Sequence, residues 1–137
     1  MRQDVLSRGA LITSWGCQLL AAIIMGQTLF FKFTGAPEAR YIFSTLGVEP
    51  WGRYATGTLE LVTVILLLTP RTAAAGAVLA MGLMAGAILS HLTRLGIEVQ
   101  GDGGLLFGLA VTTFLAAAVV AVIRRGQIPV LGALLFS

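Results

Sequence analysis

Four stretches of this chain are almost free of charge, and each is about as long as a bilayer is thick. Gly9–Phe31 runs between Arg8 and Lys32, and Tyr54–Pro70 between Arg53 and Arg71. Thr72–Thr93 runs between Arg71 and Arg94, and Gly103–Ile123 between Asp102 and Arg124. They hold 17–23 residues each, close to the ~20 that a helix needs to cross a membrane. In hydrocarbon only a helix satisfies all its backbone groups within one segment, and the alternating short segments of a barrel are absent. The sequence therefore predicts an all-α integral membrane four-helix bundle. It is one domain over residues 1–137, with spans near 9–33, 53–69, 72–93 and 103–123.

Composition closes off the alternatives. Mean hydropathy is +0.92, and charged residues make up 11%, against roughly 25% in a soluble domain. That excludes an ordinary cytosolic enzyme and a disordered chain. The net charge is +3, but the positives stand at the ends of apolar runs. That is the pattern of membrane topology and not of a nucleic-acid face. Cys17 is the single cysteine and His91 the single histidine. One chain thus holds no disulfide, CxxC pair, thiolate metal cage or bis-histidine haem site. No metal ligands, catalytic set or self-contained redox centre can be picked out. The first run exceeds the length of a signal-peptide core, so it is expected to be an uncleaved helix.

The connections have content. Thr69–Thr72 is a tight helical hairpin, with Pro70 as a stop. Asp102 is the expected N-cap of the last helix. In the longest connection, Pro37 suits a first helical position, with Thr34 or Gly35 as cap. Ala39, Ile42, Phe43 and Leu46 follow at helical spacing, and Gly47 can end the turn. This predicts a short amphipathic interfacial helix over residues 37–46, with Tyr41, Trp51 and Tyr54 as interfacial aromatics. Arg2, Arg8, Arg71, Arg124 and Arg125 fall on one membrane side, and Lys32, Arg40, Arg53 and Arg94 on the other. That five-to-four bias favours cytoplasmic termini. The apolar tail, Gly126–Ser137, is too short to span.

Antiparallel order brings the ionisable residues to one mouth of the bundle. Lys32, Glu60, His91, Arg94 and Asp102 share a side, and the opposite mouth shows no comparable set. Glu60 lies seven residues beyond Arg53, or about 10 Å deeper. An intramembrane ionisable residue is costly and normally faces inward. Stepping at helical intervals then gives an inward stripe on each helix. These stripes hold Gln18, Ala21, Met25 and Thr28; Arg53, Thr56 and Thr63; and Met81, Met84 and Ile88. The expected ligand-binding residues are Lys32, Glu60, His91 and Arg94. The expected pocket lining is Gln18, Met25, Thr28, Thr56, Thr63, Met81 and Met84. Lys32–Glu60 reads equally as a structural ion pair between the first two spans. His91 reads also as a group reaching lipid headgroups or a backbone carbonyl, Arg94 as a snorkelling cation, and Cys17 as an inert buried thiol. Gly82/Gly86 and Gly104/Gly108 form GxxxG pairs. They suit intramolecular packing first and a homodimer face second.

Three segments carry a resemblance. Gly26–Lys32 (GQTLFFK) closes helix one, Gly57–Arg71 (GTLELVTVILLLTPR) holds Glu60, and Ala77–His91 (AVLAMGLMAGAILSH) ends in the histidine. The chain resembles the DoxX and DoxX-like family of small bacterial four-helix membrane proteins. The resemblance implies a multi-pass protein of the bacterial inner membrane. Some members are subunits of thiosulfate–quinone oxidoreductases, some belong to membrane redox and oxidative-stress complexes, and distant relatives are assembly chaperones. Two functions follow as expectations. One is a quinone- or lipid-binding subunit of a membrane redox complex. The other is a non-enzymatic assembly factor, chaperone or accessory structural subunit. A small transporter is less favoured, because the inverted repeats of carriers are missing. No cofactor is intrinsic beyond a quinone or lipid. Expected partners are membrane lipids, other membrane subunits or a second copy of the chain, and not nucleic acid.

Overall fold

The computed structural model of the chain describes residues 6–128. Five helices carry the fold: α1 (Arg8–Thr34), α2 (Pro37–Thr45), α3 (Trp51–Leu68), α4 (Ala73–Ser90) and α5 (Leu105–Ile123). Single 3-10 turns, Pro70–Thr72 and Arg125–Gln127, follow α3 and α5, and a π turn, His91–Leu95, extends α4. The tail beyond Ile128 lies outside the described residues.

Each long helix packs on two others, α1 and α4 both lying against α3 and α5. The order is antiparallel throughout. Along α1, Gln18, Thr28 and Lys32 meet Leu67, Glu60 and Arg53 of α3 in reverse sequence. The end of α5 returns to the start of α1, where Arg124 meets Ser14. α1, the Pro70–Leu95 segment and α5 are long and apolar enough to cross a membrane. α3 falls short of them in hydropathy. It carries Arg53 and Glu60, yet its 18 residues rise about 27 Å alongside α1. The chain is a four-helix membrane bundle whose second long helix is its polar member.

Residues at helical spacing face inward as the stripes require. Ser14, Gln18, Ala21 and Met25 are buried on α1, and Arg53, Glu60, Thr63 and Leu67 on α3. Leu59, Leu61, Val62 and Ile65 of α3 are exposed, as a lipid-facing surface would be. The central core is built mainly from alanines of α4 and α5, whose small side chains let helices approach closely.

The GxxxG glycines do not do this packing. A Cβ on Gly82, Gly86 or Gly108 would meet nothing within 4 Å. The close helix–helix approach is at Gly76, where a Cβ would lie 2.8 Å from the Leu67 backbone nitrogen. Spacing alone marks candidate glycines, but hairpin geometry decides which of them a neighbour touches.

Two end signals also differ from expectation. Gly104, in the left-handed region at φ 88°, occupies the N-cap of α5. Asp102 works from two residues earlier, accepting from the Val99, Gly104 and Leu106 amides at 3.0, 2.8 and 3.1 Å. Burial alone would raise its pKa, but these three donors hold the carboxyl below its ordinary value. The N-cap of α2 is Ala36, without a side-chain bond. Gly35 instead ends α1, with its φ of 68° allowing the Ala36 amide to reach the Phe31 carbonyl at 3.0 Å.

Candidate functional site

At the α2 end of the bundle the four long helices enclose a cavity of about 740 Å³. Its deep walls are apolar, with Met25 of α1, Met84 of α4, and Leu109 and Ala110 of α5. α2 lies over the mouth and contributes Ala39, Ile42 and Phe43, the apolar face that its spacing predicts. Tyr41, Trp51 and Tyr54 around this end are exposed, as interfacial aromatics should be.

The polar groups lie together on this wall. Lys32 Nζ is 2.7 Å from Glu60 Oε1, and Thr28 Oγ1 donates to Glu60 Oε2 at 2.9 Å. The Glu60 side chain is 2% exposed and that of Lys32 16%. The carboxylate is therefore the enclosed member, and the ammonium the one with a path outward. The two residues come from different helices, so the pair also fastens α1 to α3.

His91 contributes from α4. Its Nδ1 lies 2.9 Å from the Gly96 carbonyl oxygen, and the Gly96 amide donates back to the His91 carbonyl at 2.8 Å. A carbonyl oxygen only accepts, so Nδ1 carries a proton. In the neutral ring Nε2 is then left as an acceptor. The ring packs edge-on to Phe107, with centroids 5.6 Å apart. The π turn makes this loop closure, since it brings Gly96 five residues back onto His91.

Of the residues expected to bind a ligand, Lys32, Glu60 and His91 line this cavity, as do Met25, Thr28, Thr56 and Met84 of the expected lining. Arg94 is exposed on the π turn and lies outside it. Gln18, Thr63 and Met81 lie outside it too. Gln18 and Thr63 are fully buried and belong to the correct face at the wrong depth. Gln18 precedes Thr28 by ten residues, about 15 Å along the helix.

Arg53 is the residue that sequence reasoning undervalued. Buried at the rim, it meets Glu49 with two nitrogens, Nε 2.9 and 3.0 Å from the carboxylate oxygens and Nη2 2.9 Å from Oε1. It also donates to the Lys32 carbonyl oxygen, and its guanidinium stacks on Tyr54 at 4.5 Å. Its i, i+4 spacing from Glu49 was a legible signal. Arg53 thus joins the end of α1, the α2–α3 connection and α3 just outside the Lys32–Glu60 pair.

The other mouth, which has no comparable set of ionisable residues among the described residues, holds a neutral cluster around one arginine. Arg124 folds back onto Ser14 and Gln18, with Nε 2.8 Å from Ser14 Oγ and 3.1 Å from Gln18 Oε1. Gln18 Nε2 donates to the Leu67 carbonyl at 2.6 Å, and Ser14 donates to Gln18 at 2.6 Å. This cluster ties α1, α3 and α5 together. Among the described residues no group of three or more metal-ligating side chains gathers at either end.

No curated protein and no solved structure matches the chain. The sequence model of the DoxX-like family matches residues 16–113, which include Lys32, Glu60, His91 and every residue that lines the cavity. A match over most of the chain, on a bundle of apolar helices, establishes the relationship: the protein belongs to the DoxX-like family.

Proposed function

We propose that the cavity binds a membrane-borne amphiphile, a quinone or a lipid, and that the protein serves as the ligand-holding subunit of a membrane redox complex. The observation that carries this reading is the composition of the cavity wall. About 740 Å³ falls in the range of small-molecule sites, which are apolar with a few convergent polar groups. Thr28, Lys32, Glu60 and His91 supply those groups near the mouth, and methionines and leucines line the depth. A carbonyl-bearing head would accept from the Lys32 ammonium, and a hydroxyl would donate to His91 Nε2. An apolar chain would run past Met25 and Met84. Electrons would come from a partner subunit. In this reading the protein lies in the bacterial inner membrane with both termini cytoplasmic, in keeping with its Lys/Arg distribution.

The test is binding of a short-chain benzoquinone and of a phospholipid to the purified protein in detergent. We expect saturable one-to-one binding of one of the two, weakened several-fold by G86L. Gly86 lines the cavity, and a Cβ there meets nothing within 4 Å, so that variant should fold. No saturable binding of either compound, or binding indifferent to G86L, refutes the reading.

A further inference from the structure

The charge at the two ends of the bundle is sorted more sharply than the Lys/Arg tally shows. Following the helix directions, Glu38, Glu49, Glu60, Glu98 and Asp102 all belong to the cavity end. The opposite end carries Arg8, Arg71, Arg124 and Arg125, and no carboxylate among the described residues. At the cavity end the buried or half-buried cations are matched, Lys32 by Glu60 and Arg53 by Glu49.

Arg124 is not matched in this way. It is 1% exposed, and among the described residues the groups on its guanidinium are neutral: the Ser14 hydroxyl, the Gln18 amide and the face of Trp15 at 5.9 Å. The Gln127 amide, with its oxygen turned toward it, accepts from Nη1 at 3.2 Å. Nη2 has no hydrogen-bond partner among the described residues. A buried guanidinium with a free prong and no counter-charge among the described residues is expensive. Arginine is the side chain whose fork suits a phosphate oxyanion.

We propose that this end of the bundle is a binding site for a phosphate oxyanion, presented as the headgroup of an anionic phospholipid. Arg124 is the first residue past α5, so its backbone stands at headgroup level, with its guanidinium turned inward from there onto Ser14 and Gln18. Arg8 and Arg71 are exposed at the same end, and their field concentrates anionic lipid there. Ser14 and Gln18 hold Nε and so fix the fork, leaving Nη2 for the phosphate. Gln127, on the 3-10 turn that follows, is the neutral partner that an arriving headgroup displaces. Ser14 and Arg124 lie outside the family match at residues 16–113. The site is also separate from the cavity, whose lining includes none of this cluster.

The test uses the full chain in a neutral detergent. Dioleoyl-phosphatidylglycerol, dioleoyl-phosphatidylcholine and inorganic phosphate are added separately, and binding is read by native mass spectrometry and thermal stabilisation. We expect one tightly retained phosphatidylglycerol per chain, with stabilisation absent for phosphatidylcholine. R124Q should weaken phosphatidylglycerol binding by at least about tenfold, the loss expected for a charge-assisted hydrogen bond. If R124Q does not fold, R124K keeps the charge without the fork and should bind at least several-fold more weakly. Equal retention of both lipids, or variants that bind phosphatidylglycerol like the parent, overturns the proposal. Displacement of the lipid by inorganic phosphate at equal concentration overturns the lipid as the source. Asp4 is the one acidic side chain outside the described residues. If D4N destabilises the protein as much as R124Q, with lipid binding unchanged in both, the counter-ion is internal and the proposal fails.

Discussion

Removing Lys32 should harm the protein more than removing Glu60, and removing both should cost less than the sum. At 2.7 Å the gross attraction of the pair is about 6 kcal/mol for an effective dielectric constant near 20. Most of it is offset by the cost of taking both charges out of water. What a mutation exposes is the stranded partner. K32M leaves a carboxylate in a site with 2% exposure and should destabilise by about 3–5 kcal/mol. E60Q preserves volume and an acceptor for Thr28, and the freed Lys32, 16% exposed, can swing toward the headgroups. Its cost should be about 1.5–3 kcal/mol, the scale of a charge-assisted hydrogen bond. The double variant strands nothing, so the coupling energy should be about 1–3 kcal/mol. Unfolding free energies from SDS titration in mixed micelles give the cycle. Single effects that add to within about 0.3 kcal/mol would show that the pair is uncoupled, and E60Q costing more than K32M would refute the burial argument.

Three further outcomes follow from the same geometry. D102A removes the acceptor of three backbone amides and should cost about 1–2 kcal/mol at neutral pH. Because the folded-state pKa is held below 3.8, this contribution is present above that value and lost as pH falls through the folded pKa. The gap between D102A and the parent should therefore close in acid, and a gap that persists below the folded pKa contradicts it. G76A forces a Cβ against the Leu66 and Leu67 backbone and should destabilise by about 1–3 kcal/mol. G108A, with open space around it, should be neutral or up to about 1 kcal/mol stabilising; unfolding titrations that rank the two the other way would restore the GxxxG reading. A periplasm-active reporter fused after Ser137 should stay silent, whereas strong activity would reverse the proposed orientation.

The class, the inward faces and the gathering of ionisable groups at one end were legible in the residues alone. A charge is so costly in hydrocarbon that residues such as Arg8, Arg71 and Arg94 bound the spans. The 3.6-residue period then puts Gln18, Met25 and Thr28 on one face whatever the helix packs against. Antiparallel connection sends Lys32, Glu60 and His91 to one end without any knowledge of distance. Depth was legible too, since rise per residue separates Gln18 from Thr28 by about 15 Å; it was the grouping by face alone that put Gln18 in the wrong cluster. Tertiary structure decided the partners. Whether a glycine receives a neighbour depends on how tightly a hairpin closes, which separates Gly76 from Gly82 although both lie on α4. The histidine became a loop clasp because a π turn returned Gly96 to it. Arg124 reads in sequence as one more charge at a helix end, with water or headgroups to meet. A long side chain has many rotamers, and only the placement of Ser14, Gln18 and Trp15 beside the end of α5 selected the one that carries the charge inward.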